Sequence, residues 1–540
     1  MALKVAAPAS GGLKWLYAPS WSNVAFALRT AAAALLSLLI AMWLELDSPQ
    51  WAPLTVWVVA TSTRGETLSK ARWRLVGTAT GCVISICAIA CFPQQPGLLI
   101  PALALWVGCC SAGATFFDGY RRYAFLVASF TGAIIASGAF SSPLSVFEIS
   151  ISRGTYIVLG ILCEAAMATI TSRNPEGTVR GQLVARLDDI TSDVATVIER
   201  AGSAPLSIQQ ESELLADVMA MNARVEFEVL DLGPDSRRAV DHARGALSVL
   251  LVILAKARVG VAPGALRDEL TRARDHIDAI AHPRRGDRFR FSAHSPRQAI
   301  EAARVGARTA LGILGAGLLW DVTAWTEGPS FISFLSLIGG LMATREVPAV
   351  AARDFLVGAL WSVAVASLFV FIVMPAVTAP ECLAYCLFWP MVVGGLAGRE
   401  ARLSTHAMAF NMFLPVLIAP RNGGRVDEIA FINGSMAFLA AIIYERFILS
   451  TVFPFDALDH LQRTDRWVRR QLRLLRRTTT RVTVSQWLHE NAASMVRSVR
   501  TCRGAGENVL EYYLGRHLQA MALGVRVIEL RNEARRTIPN

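Results

Sequence analysis

The chain lacks several patterns that mark common classes of protein. Its 540 residues contain no G-x-x-x-x-G-K-[ST] sequence, which excludes the phosphate-binding loop of an ATP-driven pump. Its nine cysteines form no C-x-x-C pair, and eight of them lie in or beside apolar runs. We interpret them as small apolar residues rather than as metal or redox ligands. We therefore expect no metal or cofactor, and no enzyme.

Charge is also scarce. Charged residues make up 18% of the chain and apolar residues 53%, and the mean hydropathy is +0.42, which is too apolar for an ordinary soluble protein of this length. A helix needs about 20 largely apolar residues to cross a membrane. Nine runs approach that length, near residues 24–44, 75–92, 98–116, 123–140, 153–171, 301–320, 355–375, 382–398 and 431–450, and shorter runs lie near 51–63, 330–343 and 406–420. We predict an all-α polytopic membrane protein with six segments in each half, the shorter ones broken, tilted or re-entrant.

The orientation follows from the charge of the short loops. Most loop arginines fall on one side of the predicted membrane, whereas the loops on the other side carry only Arg421 and Arg425. The positive-inside rule then places both termini in the cytoplasm, with an even number of crossings in each half. Lys4 and Lys14 precede the first run without a small-residue cleavage site, so we expect that run to remain as an anchor.

Two stretches are rich in charge and have helical periodicity. We predict a first transmembrane half over 1–171, a helical cytoplasmic domain over 172–300, a second transmembrane half over 301–450 and a helical cytoplasmic tail over 451–540. In the tail, residues 459–477 place seven arginines around apolar residues. This helix either lies on anionic lipid headgroups or forms the solvated face of a helical bundle. The loops and the tail account for much of the net charge of +11, so membrane lipid is an expected partner and nucleic acid is not.

The two halves share a repeated pattern. The run Arg72-Trp73-Arg74-Leu75-Val76-Gly77-Thr78 recurs 281 residues later as Arg353-Asp354-Phe355-Leu356-Val357-Gly358-Ala359. A long-period repeat in apolar sequence is typical of transporters that bind their substrate between two related halves. The predicted even number of crossings in each half makes this repeat parallel rather than inverted.

Charged residues inside apolar segments are candidates for function, because they are costly in lipid. Arg29 and Arg308 lie at the start of the first segment of each half, and Arg153 opens the sixth segment. Glu164 and Glu445 are related by the repeat and lie in the last segment of each half. The arginines could instead extend to the membrane interface, and the glutamates could form interfacial salt bridges instead of handling protons.

Residues 49–55 read P-Q-W-A-P-L-T, and residues 70–81 read K-A-R-W-R-L-V-G-T-A-T-G. These two runs resemble the first-half signature of the fusaric-acid-resistance family, which includes bacterial inner-membrane exporters of aromatic carboxylic acids. The layout of two six-segment halves, each followed by a polar helical region, also resembles that family. In the second half the tryptophan motif is replaced by Gly328-Pro329-Ser330.

The resemblance implies proton-driven export of small organic anions through the bacterial inner membrane. It also implies two partners, a periplasmic adaptor (a membrane fusion protein) and an outer-membrane channel. Arginines would attract such a carboxylate, which makes substrate-binding candidates of Arg29, Arg72, Arg74, Arg308 and Arg353. Glu164 and Glu445 are the candidates for proton coupling. A passive organic-anion channel and a scaffold for envelope assembly remain alternatives, and the oligomeric state, including a homo-oligomer, is left open.

Overall fold

The computed structural model describes residues 13–61, 64–93, 95–117, 119–171, 176–200, 207–228, 236–258, 261–282, 289, 299–345, 347–377, 379–422, 427–477, 482–502 and 506–537. Within these ranges the regular structure is helical and contains no strand, which confirms the prediction of an all-α protein. The chain forms two compact units. We call residues 1–172 and 300–453 the membrane unit, and residues 173–299 and 454–540 the polar unit.

The described residues form twenty-one α-helices. Helices α1 to α11 are Lys14–Tyr17, Trp21–Trp43, Trp51–Val59, Arg64–Cys91, Pro96–Phe116, Gly119–Gly138, Val146–Thr171, Glu176–Arg200, Ile208–Glu228, Ser236–Arg258 and Pro263–Ala281. Helices α12 to α21 are Ala299–Thr323, Gly328–Ala343, Pro348–Leu368, Met374–Ala376, Pro380–Gly398, Ser404–Ile418, Glu428–Thr451, Ala457–Arg477, Val484–Thr501 and Glu507–Thr537. A π-helical turn, Phe369–Val373, joins α14 to α15. Several helices have proline in their first turn, where its missing N–H leaves no hydrogen bond unmade.

Eight helices among the described residues are long and apolar enough to cross a membrane. They are α2, α4, α5, α7, α12, α14 with its extension to Ala376, α16 and α18. Helices α13 and α17 are shorter, with 16 and 15 residues. Helix α3 has nine residues and is therefore about 14 Å long, roughly half the thickness of the hydrocarbon core. It cannot cross a bilayer by itself.

Some helix contacts recur in both halves of the membrane unit. Helix α4 packs on α6 and α7, and α14 packs on α17 and α18. Helix α3 contacts α7 and α17, whereas α13 contacts α18 and α6. A Cβ atom at Gly77 of α4 would lie 2.5 Å from the carbonyl oxygen of Ala124, and one at Gly358 of α14 would lie 2.1 Å from that of His406. Only glycine permits such a close approach of two helices.

The polar unit has one apolar core. Its buried residues come from both segments of the chain and include Leu187, Leu250, Leu270, Leu488 and Leu518. Helices α8 to α11 and α19 to α21 are therefore parts of a single packed bundle. The sequence gave no sign that the two polar stretches share a core.

Candidate substrate site in the first half of the membrane unit

A buried ion pair joins the first and last long helices of the first half. Arg29 of α2 donates a hydrogen bond from Nη2 to Glu164 Oε1 of α7 at 2.9 Å, and the same nitrogen lies 2.8 Å from the carbonyl oxygen of Thr61. The side chain of Glu164 has no exposed area, and that of Arg29 is 10% exposed. Removing one partner would leave a buried charge without compensation, which costs about 3–5 kcal/mol.

The second half has the corresponding residues. Arg308 of α12 and Glu445 of α18 are both buried, but among the described residues no salt bridge or hydrogen bond joins them, in contrast to Arg29 and Glu164. The carboxylate of Glu445 lies against α13, since a Cβ atom at Gly339 would be 3.3 Å from Glu445 Oε2. The sequence predicted a substrate role for the arginines and a coupling role for the glutamates, but it did not predict that they pair. The sequence did carry one signal of this pairing, because an arginine and a glutamate recur in both halves at nearly the same offset along the chain.

Arg72 and Arg353 have a different environment from the paired arginines. Both side chains are exposed, Arg72 on α4 and Arg353 on α14. Neither lines the cavity described below. Their exposed environment differs from that of Arg74, which is buried although it lies only two residues after Arg72.

Arg74 is the arginine that points into the helix bundle. It is 1% exposed, and its guanidinium group donates hydrogen bonds to Tyr123 Oη at 3.0 Å and to Thr55 Oγ1 at 3.3 Å. The guanidinium carbon also lies 5.7 Å from the centre of the Phe130 ring. Its Nε is buried and finds no hydrogen-bond partner among the described residues. No carboxylate in the described ranges pairs with Arg74, so only neutral hydrogen-bond acceptors and an aromatic ring contact its positive charge.

Arg153 lies beside Arg74 and was not among the predicted substrate-binding residues. Its guanidinium carbon is 3.5 Å from the centre of the Trp51 ring, which is the geometry of a cation–π contact. Arg74 and Arg153 carry the same charge, so the two guanidinium groups repel each other. Within the part of the chain that the structure describes, Arg153 also lacks a carboxylate partner. Its place at the start of the sixth segment had suggested an interfacial position instead.

The two arginines share a small cavity. Its lining consists of Trp51, Leu54, Thr55, Arg74, Phe130, Thr131, Ile134, Arg153, Ile157 and Leu337. No acidic side chain is among these described residues, and the buried hydroxyl of Thr131 finds no partner in the same ranges. The cavity encloses about 20 Å³, which is room for about one water molecule but not for an aromatic ring. It combines positive charge, free hydrogen-bonding atoms and two aromatic faces.

Aromatic side chains fill the corresponding region of the second half. Phe355 follows Arg74 by 281 residues, and Gly434 follows Arg153 by the same number. The rings of Phe413 and Phe438 stack with their centroids 4.3 Å apart, and Phe355 meets Phe413 edge to face at 6.0 Å. No set of three or more histidine, cysteine, aspartate or glutamate side chains in the described residues could hold a metal ion.

Eight long apolar helices among the described residues define a multi-pass membrane protein. The chain belongs to the fusaric acid resistance protein family, whose model matches residues 23–262 and 256–540. This finding confirms the resemblance drawn from residues 49–55 and 70–81, and it confirms a transporter rather than an enzyme.

Curated relatives agree with this assignment. An uncharacterized transporter of Gluconobacter oxydans is 29% identical over 96% of this chain and 82% of its own length. The p-hydroxybenzoic acid efflux pump subunit AaeB of Musicola paradisiaca is 23% identical over 73% of this chain and 71% of its own length. The uncharacterized transporter YdhK of Salmonella typhimurium is 30% identical over 33% of this chain. No solved structure matches the chain significantly.

Proposed function

We propose that this protein is an inner-membrane efflux permease that exports aromatic or related small carboxylic acids. The observation that carries the proposal is the cavity in which Arg74 and Arg153 lie against Phe130 and Trp51 with no acidic partner in the described ranges. Burying a cation without a counter-ion is unfavourable. An organic carboxylate would supply the missing negative charge, and its ring would pack on the two aromatic side chains. The similarity to a p-hydroxybenzoic acid efflux pump subunit supports this substrate class.

The cavity is smaller than such a substrate, so transport requires that its walls separate. The proton gradient is the proposed driving force, and Glu164 and Glu445 are the proposed sites of proton coupling. Each glutamate is buried and interacts with one arginine. Protonation of Glu164 would release Arg29 from its ion pair, which would allow α2 and α7 to move apart.

The cellular arrangement also belongs to the proposal. Both termini would lie in the cytoplasm, and a periplasmic adaptor and an outer-membrane channel would continue the export path. A relative named as a pump subunit supports the idea of partners. Reporter fusions at Gly233 and Gly504, which lie outside the described residues, are expected to be active only with a reporter that works in the cytoplasm. Activity of a periplasmic reporter at either position would refute this orientation.

Transport by the purified protein in liposomes tests the function. An imposed pH gradient is expected to drive accumulation of labelled p-hydroxybenzoate, and the double variant Arg74→Gln, Arg153→Gln is expected to abolish it. Arg446→Gln is the matched control, because Arg446 is an exposed arginine of α18. A voltage-dependent current without any response to the pH gradient would favour the anion channel. Equal transport by the double variant and the control would refute the assignment of the site.

A further inference from the structure

Helix α19 of the polar unit presents an exposed stripe of four arginines, Arg466, Arg469, Arg470 and Arg473. The side chains of Arg466 and Arg469 are 69% and 52% exposed. The opposite face of the helix holds Leu461, Val468 and Leu475, which are buried. This packing fixes the rotation of α19 and keeps the arginine stripe in solvent.

The positive charge of the stripe is only partly compensated. Helix α19 carries seven arginines and two aspartates. Asp459 lies 4.0 Å from Arg466, and Asp465 lies 3.1 Å from Arg469. Asp465 is shared with Arg516 of α21, also at 3.1 Å. In the described ranges Arg470 and Arg473 have no carboxylate partner.

Apolar side chains lie at both ends of the stripe. Phe455 and Leu458 are exposed before it, and Leu474 is exposed at its end. Helix α18, a candidate membrane span, ends at Thr451, and α19 begins at Ala457. The segment that joins them is therefore only five residues long.

We propose that the arginine stripe of α19 binds the headgroups of anionic phospholipids. Guanidinium groups form paired hydrogen bonds with phosphate oxygens, and a basic helix with exposed apolar residues, joined to a span by a short segment, is typical of a segment that lies in the membrane interface. A nucleic acid or an acidic soluble protein would not need the flanking apolar side chains or the short tether. The inference is independent of the proposed substrate.

Lipid binding to the purified full-length protein in detergent, measured by native mass spectrometry, tests this site. The variant with Arg466, Arg469, Arg470 and Arg473 all changed to Gln is expected to bind phosphatidylglycerol at least tenfold more weakly, since arginines near a membrane surface are attracted to anionic lipid. Binding of phosphatidylcholine should not change. The same four residues changed to Lys should retain most of the binding.

The matched control changes Arg237, Arg267, Arg272 and Arg274 to Gln, because these arginines are exposed on α10 and α11 of the same unit. It removes the same charge and should leave phosphatidylglycerol binding unchanged. An equal loss in the control would refute the proposal, as would wild-type binding in the stripe variant. Displacement of the lipid by millimolar inorganic phosphate would identify a simple anion site instead. Loss of oligonucleotide binding with lipid binding intact would identify a nucleic-acid surface, and either result would overturn the inference.

Discussion

Arg74 in the first half and Phe355 in the second occupy positions 281 residues apart, on the matching helices α4 and α14. Both side chains are buried. Arg74 faces a cavity with Arg153, Trp51 and unpaired polar atoms, whereas Phe355 packs into a cluster of phenylalanine rings. The helices around Arg74 thus border a polar cavity, whereas those around Phe355 enclose a cluster of aromatic rings.

The comparison distinguishes a feature that occurs once, the cavity, from a feature that occurs in both halves, the buried arginine and glutamate. Nine of the ten residues that line the cationic cavity belong to the first half, and Leu337 of α13 belongs to the second. Both halves contain a largely buried arginine and glutamate, Arg29 with Glu164 and Arg308 with Glu445, as the proposed coupling role requires. If the halves are a true repeat, residues 24–175 should superpose on 303–454 with their helices in the same order.

The largest effect is expected where the halves differ. Arg74→Gln should lower export of p-hydroxybenzoate about 100-fold, because loss of one partner of a buried charge pair costs about 2–5 kcal/mol. Phe355→Leu should change export less than about twofold, since it keeps an apolar side chain of similar volume. Uptake into inverted membrane vesicles, normalised to inserted protein, measures both. If export fell by a similar factor in both variants, the substrate would not bind preferentially at Arg74, and this difference between the halves would be refuted.

An intermediate effect is expected where the halves agree. Glu164→Gln and Glu445→Gln should each lower accumulation driven by a pH gradient about tenfold, because the neutral amide cannot take up and release a proton. Exchange of labelled for unlabelled substrate at equal pH should persist. The double change Arg29→Gln, Glu164→Gln removes the unpaired charge and serves as the control for folding. If exchange fell as far as driven accumulation, the pairs would be structural.

The smallest effect is expected at the exposed arginines. Arg72→Gln and Arg353→Gln should weaken export about twofold to threefold at low salt by removing a long-range attraction, and the difference should fade as salt screens it. Lys at either position should preserve the attraction. Export normalised to inserted protein distinguishes this role from a purely topological one. If normalised export is unchanged in both Gln variants, Arg72 and Arg353 do not attract the substrate and serve only to set the membrane topology.

Helix geometry explains which parts of the site the sequence could predict. Arg72 and Arg74 were both candidates. Residues two positions apart on an α-helix point about 200° away from each other, so only one of the two side chains can face the bundle. Arg29 and Glu164 were each found, yet their contact joins residues 135 positions apart and no local pattern encodes it. Arg153 was set apart because it opened the predicted sixth segment, whereas α7 begins seven residues earlier, at Val146. Its contact with Trp51 depends on the packing of α3 against α7, which the sequence does not reveal.

The short helix α3 forms one wall of the cavity. Its nine residues supply Trp51, Leu54 and Thr55 to the lining. Helix α3 packs on α7 of its own half and on α17 of the other. A displacement by the width of one side chain would therefore alter contacts in both halves at once. If the cavity binds the substrate, the helix that borders it also connects the two halves mechanically.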